Sequence, residues 1–398
     1  TASFHDPGSV PRGSKIVTNP SAGDIDADGD LEVICGTNEA YPNETLNVSS
    51  DSFGLVALLD IVGPILGDNL KPGNTRAYAV HHDGAAHGLE PEAEIPQDQV
   101  PANAYLEGWP FKIAMMAAGM LPNVAEGVNG PAVIADVDGD GSLEVGISSA
   151  AGPGFVLEPD GTSHFGVGGD GLPLSAECDE TGSSADSADA PVVCALGGGS
   201  FATIGDGLAY VAATMGLGRA IDLFLPASQL RSHDQISAWS TEDGSFLEAF
   251  PRKVNDMMFF VSPGAADIDA DGSQEILAGS SFYDVHAMDI TGSEPDGWPK
   301  FTGGWSVATP PSADFDGDGD REVVMTTREG WLLIWETEST PADMAEWPEY
   351  GHDPWNTGCL DTDARRPGKV TDLSAQFIED GDNLKGAKLN WTAPGDDG

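Results

Sequence analysis

Carboxylate side chains recur at every second position in a short stretch near the end of the chain. Residues 312–327 read SADFDGDGDREVVMTT and place five acids within nine positions: Asp314, Asp316, Asp318, Asp320 and Glu322. Two like charges about 4 Å apart repel by ~4 kcal/mol at an effective dielectric constant of about 20. Several such pairs approach the whole stability of a domain, roughly 5–15 kcal/mol. The stretch therefore predicts either a cation bound among its carboxylates or a loop that stays open.

The same pattern occurs in four places. D-x-D-x-D-G-x-x-E begins at Asp24, Asp136, Asp267 and Asp314, and β-branched residues follow it. Alternate acids converge on one centre, the glycine accepts a turn conformation that other residues resist, and position seven offers a backbone carbonyl. Such oxygen ligands suit Ca²⁺, and about four ions are expected. The predicted ligands are Asp24, Asp26, Asp28, Asp30 and Glu32; Asp136, Asp138, Asp140, Ser142 and Glu144; Asp267, Asp269, Asp271, Ser273 and Glu275; and Asp314, Asp316, Asp318, Asp320 and Glu322.

An EF-hand opens with the same acids and glycine, but the rest of its pattern is missing. An EF-hand needs a bidentate Glu at position twelve of the loop and a helix on each side. Position twelve is occupied here by Cys35, Ile147, Ala278 and Met325, none of which is a carboxylate. The acid falls at position nine, and the flanking runs have the composition and length of strands. The loops are therefore predicted to connect pairs of strands.

The charge balance of the chain is strongly acidic. The 65 Asp and Glu residues against 17 Lys and Arg give a formal net charge of −48. Such a surface repels nucleic acid and anionic membranes. No apolar run approaches the roughly 18 residues that a membrane-spanning helix needs, so neither nucleic acid nor membrane insertion is expected. The charge fits a calcium-rich exported protein and equally an adaptation to salty surroundings.

A simpler repeat underlies the loops. The loop starts at 24, 136, 267 and 314 are separated by 112, 131 and 47 residues, and an acid-poor unit at 200–216 around Asp206 divides the longest gap nearly in half. Each loop precedes short apolar runs joined by polar turns. Four strands per unit of roughly 45–65 residues are typical of a β-propeller blade. Five blades are favoured, with six or seven left open, and no calcium or only a weak site is expected at Asp206.

The loops and their flanks resemble FG-GAP/VCBS repeats, the calcium-loop blades also found in integrin α-subunit propellers. The resemblance covers residues 15–360, and the phrase WPEYGHDPWNTG at 347–358 resembles the end of a last blade. It implies an all-β fold, a β-propeller of four-stranded blades stabilised by Ca²⁺. Two insertions are predicted at 38–76 and 167–196, both as surface loops.

The composition changes after Pro367. Residues 368–398 resemble the first strands of a fibronectin type III domain, whose second strand often carries a buried tryptophan, here Trp391. The predicted organisation is a propeller at 1–361, a linker at 362–367 and a partial β-sandwich at the C-terminus. Because only about thirty residues of this last domain are present, we expect the chain to be a piece of a longer multidomain protein.

The four cysteines fit two disulfides in an oxidising compartment. Cys35 ends the strand after the first loop and Cys359 follows the last unit, so these two would be neighbours if the first and last blades meet. Cys178 and Cys194 would then pin one insertion. The alternative is that Cys35 is a buried thiol. Since low-affinity calcium loops suit millimolar extracellular calcium, a secreted or cell-surface location is expected.

Common catalytic motifs are absent from the sequence: it has no G-x-S-x-G, no H-E-x-x-H and no glycine-rich phosphate loop after a strand. The predicted function is therefore non-catalytic: an adhesion, ligand-binding or structural module of a larger protein, with an extracellular protein or glycan as its ligand. Three alternatives stay open, namely a lectin-like carbohydrate binder, a polysaccharide lyase or protease-accessory domain, and a filament subunit that self-assembles through neighbouring domains. His81, His82 and His87 could form part of a transition-metal site, but an exposed strand and turn is favoured for them because no Cys or fourth ligand is spaced to join them. Tryptophans such as Trp109 and Trp347 are predicted to pack between blades.

Overall fold

The computed structural model of this 398-residue chain contains β-strands as its regular elements. It describes residues 16, 18–42, 70–81, 105–118, 127–149, 154–164, 194–204, 207–216, 234–254, 258, 261–281, 283–306, 308–341, 346–360, 374–380 and 383–390. Over this part of the chain no α-helix is present, so the all-β prediction is confirmed. Two compact units are formed, Thr1–Asp361 and Thr362–Gly398.

The described residues of the first unit form five antiparallel sheets. Sheet 1 contains β1 (Ser21–Gly23), β2 (Glu32–Gly36), β3 (Tyr41–Pro42), β4 (Leu70–Val80) and β5 (Phe111–Ala118). Sheet 2 contains β6 (Val133–Ala135), β7 (Glu144–Ser148) and β8 (Gly154–Leu157). Sheet 3 contains β9 (Cys194–Ile204), β10 (Gly207–Gly216), β11 (Gln235–Ser240) and β12 (Arg252–Lys253). Sheet 4 contains β13 (Gly264–Ala266), β14 (Glu275–Gly279), β15 (Asp284–Met288) and β16 (Lys300–Phe301), and sheet 5 contains β17 (Ser312–Ala313), β18 (Glu322–Thr326) and β19 (Leu332–Glu336).

The second unit has a single antiparallel pair of strands among its described residues. This pair is β20 (Ser374–Asp380) with β21 (Asn383–Asn390). Trp391 lies outside the described residues. None of the described residues belongs to a helix long and apolar enough to cross a membrane.

Most sheets are meanders in which consecutive strands are neighbours, as expected when short strands are joined by tight turns. The acid-poor unit predicted at 200–216 lies in sheet 3, where β9 and β10 form a hairpin. Asp206 itself lies outside the described residues. Sheets 1, 2, 4 and 5 each contain one of the four acidic loops.

The predicted insertion at 38–76 contains strand residues at both ends. β3 occupies Tyr41 and Pro42, and residues 70–76 belong to β4, which pairs with β5 along 70–77. The buried Arg76 places its guanidinium 4.2 Å from the centre of the Tyr41 ring. This strand was not predicted from the sequence, because a proline followed by a glycine, as at Pro72, usually marks a turn. The insertion predicted at 167–196 likewise ends within β9, and its other residues lie outside the described part.

A hydrophobic cluster joins sheets 2, 3 and 4. Phe201, Tyr210 and Trp239 of sheet 3 are buried in it. The Tyr210 ring packs so closely against two glycines that a Cβ on Gly146 would lie 2.7 Å from a ring atom and one on Gly199 only 2.3 Å away. A side chain at either glycine would force the ring out of its place, so these glycines set how closely the strands pack.

The segment 346–360, called here the closing segment, hydrogen-bonds to the first strands of four sheets. Amide N–H groups of Ala22, Ile134, Ala265 and Ser312 donate to the carbonyls of Thr357, Gly358, Trp347 and Pro348 respectively, at 2.7–2.9 Å. The segment thus lies between β1 and β6 at one end and between β13 and β17 at the other. Backbone hydrogen bonds therefore join β1 to the closing segment, although hundreds of residues separate the two in the sequence.

The predicted Cys35–Cys359 disulfide is wrong. Both residues carry thiols that are not bonded to each other. Cys359 is buried in a cluster that includes Ile34, whereas Cys35, the next residue along β2, belongs to the other face of the strand. Because successive side chains of a strand point to opposite faces, the two sulfurs are separated by the sheet. Cys178 and the side chain of Cys194 lie outside the described part, so that pairing stays a prediction.

Candidate metal centres

Each acidic loop connects the first and second strands of its sheet. The glutamate at position nine is the first residue of the second strand and pairs with the last residue of the first strand. The four pairs are Gly23 with Glu32, Ala135 with Glu144, Ala266 with Glu275, and Ala313 with Glu322. The strand pairing therefore brings position nine back beside position one, although seven residues of chain lie between them.

Backbone amides hold the aspartates in place. In the loop of sheet 5, Asp314 accepts hydrogen bonds from the N–H groups of Gly317 at 2.6 Å and Gly319 at 3.0 Å. Asp316 and Asp318 each accept one from the residue two positions on. The loops of sheets 2 and 4 repeat this pattern. In sheet 1 the carboxylate of Asp24 accepts from the N–H groups of Asp28 and Gly29, and that of Asp28 accepts from Asp30. These amides orient the carboxylates before any ion binds.

Positions four and six of every loop have left-handed backbone conformations. Position six is glycine throughout, with φ between 91° and 103°. Position four is Gly139 in sheet 2 and Gly317 in sheet 5, but Ala27 with φ 56° in sheet 1 and Ala270 with φ 62° in sheet 4. A residue with a Cβ is strained there, at a cost of roughly 1–2 kcal/mol.

Replacing Ala270 by glycine is expected to stabilise the protein. Relief of the left-handed strain exceeds the entropy that glycine adds to the unfolded chain, which leaves a gain of about 0.5–1 kcal/mol. Urea unfolding with calcium present measures it, and Ala27→Gly should behave alike. Ala249→Gly, at a position without positive φ, serves as the control and should destabilise. A loss of stability in Ala270→Gly would contradict the strain assigned to this position.

The four glutamates are buried, and in each of them one carboxylate oxygen accepts a hydrogen bond while the other does not. Glu32, Glu144 and Glu275 have 0% exposed surface and Glu322 has 2%. One oxygen of each accepts a backbone hydrogen bond from position two of the loop: Ile25 to Glu32 at 3.2 Å, Val137 to Glu144 at 2.8 Å, Ile268 to Glu275 at 2.8 Å and Phe315 to Glu322 at 2.6 Å. The other oxygen, Oε1, is buried without a hydrogen-bond partner in all four. A buried carboxylate oxygen without a partner is costly, so its recurrence in all four loops fits a cation bound at this position.

Burial also opposes ionisation of Glu32, Glu144 and Glu275. It raises the pKa of Glu32 and of Glu144 to about 7, and that of Glu275 to about 8, with nearby acids adding to the shift. A group with such a pKa is stable as the neutral acid near pH 7 unless a positive charge compensates it. A cation among the aspartates supplies that charge.

The structure brings together most of the acidic side chains predicted as ligands. Ligand atoms lie within 4.8 Å of one another in five groups: Asp24, Asp26 and Asp28; Asp26, Glu32 and His81; Asp136, Asp138 and Glu144; Asp267, Asp269 and Asp271; and Asp314, Asp316, Asp318 and Glu322. Asp140 and Glu275 lie in the same loops but outside these groups. The residues at position seven, Asp30, Ser142, Ser273 and Asp320, are also outside them, and were predicted to offer carbonyls.

Sequence analysis missed a residue of the third or fourth strand that faces each loop. Extending the antiparallel registers by one residue places His81 opposite Glu32, Glu158 opposite Glu144 and Asp289 opposite Glu275, while Glu336 pairs with Glu322 directly. Aligning the ends of these strands, YAVH, FVLE, HAMD and LIWE, would have revealed the position. His81 is half-buried beside Glu32. The other two histidines predicted with it, His82 and His87, lie outside the described residues.

Replacing Glu275 by glutamine tests one centre by itself. The amide oxygen of the glutamine still accepts the hydrogen bond from the Ile268 N–H. The second carboxylate oxygen, which would bind the cation, is replaced by an NH₂ group that cannot. We expect bound calcium, measured by equilibrium dialysis, to fall by one ion per chain with the other loops filled. Glu248→Gln, at an exposed position in the connection between β11 and β12, is the matched control. An unchanged calcium count in Glu275→Gln would remove this residue from the site.

Comparison with known proteins finds similarity in solved structures only. No family model and no curated protein matches the chain. An exotype rhamnogalacturonan lyase, YesX, is 14% identical with a TM-score of 0.42, and the match covers 95% of this chain and 58% of the lyase chain. The V. cholerae biofilm matrix protein Bap1 is 12% identical with a TM-score of 0.32, covering 83% of this chain and 79% of Bap1. BBS1N, solved in complex with ARL6DN, is 10% identical with a TM-score of 0.32, covering 85% and 86%. This chain therefore spans less than two thirds of the length of the lyase chain.

Proposed function

We propose that the first unit is a calcium-stabilised, non-catalytic β-propeller that serves as an adhesion, ligand-binding or structural module of an extracellular protein. The observation that carries the proposal recurs in Glu32, Glu144, Glu275 and Glu322: each has a buried Oε1 atom without a hydrogen-bond partner. In each loop a buried carboxylate oxygen without a hydrogen-bond partner lies beside aspartates that backbone amides already hold in place. Calcium's role here is architectural, because it ties the first two strands of a sheet together at their loop.

The propeller arrangement rests on how the sheets meet. First strands of consecutive sheets are in contact from β1 to β6, from β6 to β9 and from β9 to β13. The closing segment then bridges β13 to β17 and reaches back to β1 and β6. Five blades, one for each sheet, account for these contacts, and hydrogen bonds from the closing segment do the joining that a disulfide was predicted to do.

The tryptophans support packing more than sugar binding. Trp109 and Trp347 are 5% and 2% exposed, and the Trp298 and Trp335 rings of sheets 4 and 5 meet edge to face at 6.2 Å. Among the described residues Trp331, just before β19, and Trp355 of the closing segment are exceptions, at 62% and 50% exposed. A ligand that stacks on aromatic faces would therefore be sought at Trp331 first.

The choice of calcium over magnesium tests the proposal. Flexible loops of carboxylate and carbonyl oxygens fit the six to eight ligands of Ca²⁺, whereas Mg²⁺ requires a tight octahedron and keeps its water. We expect millimolar Ca²⁺ to raise the melting temperature of metal-free protein and equal Mg²⁺ to raise it much less. Equal effects of the two ions would show a response to general charge screening and would contradict specific calcium binding.

A further inference from the structure

The centre in sheet 1 differs from the other three in one ligand. Opposite the buried glutamate, sheets 2, 4 and 5 carry the acids Glu158, Asp289 and Glu336, but sheet 1 carries His81. A nitrogen donor thus replaces an oxygen donor at the same place in the fold. The difference lies in the type of donor atom, since the four loops share one sequence pattern.

The geometry places the imidazole at the cation position. His81 Nδ1 lies 3.8 Å from Glu32 Oε1, too far for a hydrogen bond and close enough for both atoms to ligate one ion. Asp26 completes a group whose ligand atoms lie within 4.8 Å of one another. The His81 side chain is 15% exposed, so it is largely shielded from water.

An independent observation points to a ligand at this place. Glu32 is fully buried, and its Oε1 atom, the one that faces His81, has no hydrogen-bond partner. Its Oε2 atom is already used by the amide of Ile25. A buried carboxylate oxygen that faces two other potential ligand atoms, here those of Asp26 and His81, is expected to bind an ion together with them.

We propose that the loop of sheet 1 binds a divalent transition-metal ion through Asp26, Glu32 and His81 in preference to calcium. Imidazole nitrogen is a favoured donor for Zn²⁺, Co²⁺, Ni²⁺ and Cu²⁺, whereas calcium takes oxygen ligands. The other three loops, with an acid in place of the histidine, remain calcium sites. The proposal rests on the proposed function, because it assumes that all four loops bind cations.

Cobalt is the probe, because Co²⁺ substitutes for such ions and its visible absorption reports nitrogen ligands. Protein saturated with millimolar Ca²⁺ is titrated with Co²⁺ while bound calcium is counted by equilibrium dialysis. We expect one Co²⁺ to bind per chain and the calcium count to fall from about four to about three. His81→Gln should lower the Co²⁺ affinity at least about 10-fold and leave four calcium ions bound. His286→Gln, which alters a histidine paired with Glu294 at 2.8 Å, is the control and should keep Co²⁺ binding.

The outcomes separate this inference from the proposed function. Four bound calcium ions that Co²⁺ does not displace would overturn the transition-metal site and leave the calcium sites standing. Co²⁺ binding that survives His81→Gln would overturn it as well, because the nitrogen ligand would then be elsewhere. A chain that binds no calcium at all would instead refute the proposed function. Circular dichroism of His81→Gln in calcium shows whether the variant is folded.

Discussion

Removing calcium with a chelator is expected to lower the free energy of unfolding of the first unit by several kcal/mol. Each loop holds three or four aspartates and a buried glutamate, and like charges about 4 Å apart repel by ~4 kcal/mol when no cation lies between them. By mass action, calcium binding at each site stabilises the folded state by about 2.7 kcal/mol at a calcium concentration 100 times the dissociation constant of that site. Urea unfolding followed by tryptophan fluorescence, with calcium and with chelator, measures the difference.

Ionic strength must be matched in this experiment. With a net charge of −48, the protein responds to any salt that screens repulsion. Sodium chloride at equal ionic strength is therefore added to the chelated sample. If the two unfolding curves coincide, the loops do not hold the cations that this account requires.

Breaking the ion pair between Arg321 and Glu346 should have the second large effect. Arg321 Nη2 donates to Glu346 Oε2 at 2.5 Å, and Nη1 donates to Ser312 Oγ at 2.9 Å. The other Glu346 oxygen accepts the amide of Asp267 at 3.0 Å, so the pair joins sheet 5 and the closing segment to the acidic loop of sheet 4. The Arg321 and Glu346 side chains are 1% and 7% exposed. Glu346→Gln leaves a buried guanidinium without its counter-charge and is expected to cost about 3–5 kcal/mol.

A double replacement distinguishes the lost pair from general damage. Arg321→Met with Glu346→Leu removes both charges, and should recover much of the stability because no buried charge is left alone. Glu338→Gln, at an exposed position in the same region, serves as the surface control and should change stability little. A cost below about 1 kcal/mol for Glu346→Gln, measured by urea unfolding in calcium, would contradict the role assigned to this pair.

The acidic loops were predictable from sequence because their ligands lie close together in the chain. Aspartates at alternate positions, a glycine at position six and a strand beginning at position nine are local features, and local spacing determines their geometry. The position of each loop between two strands followed for the same reason. The acid-poor unit in sheet 3 was found because its hairpin keeps the repeat length after losing its acids.

Features set by strand register and by strand faces were not predictable in this way. His81 lies opposite Glu32 because β4 pairs with β2, although the two residues are 49 positions apart in the sequence. No local sequence pattern encodes this register. The same limit explains the wrong disulfide: nearness of two strands was inferred, but the face that Cys35 occupies was not considered. A strand that carries Pro72 was likewise assigned to a loop.

The most direct test of the account is an anomalous difference map from crystals grown with calcium as the only divalent cation. The account predicts four peaks, one in each loop, each within about 2.3–2.6 Å of carboxylate oxygens. At each peak one ligand should be the Oε1 atom of Glu32, Glu144, Glu275 or Glu322. A map without peaks in these loops, or with those four glutamate oxygens hydrogen-bonded to water instead, would contradict it.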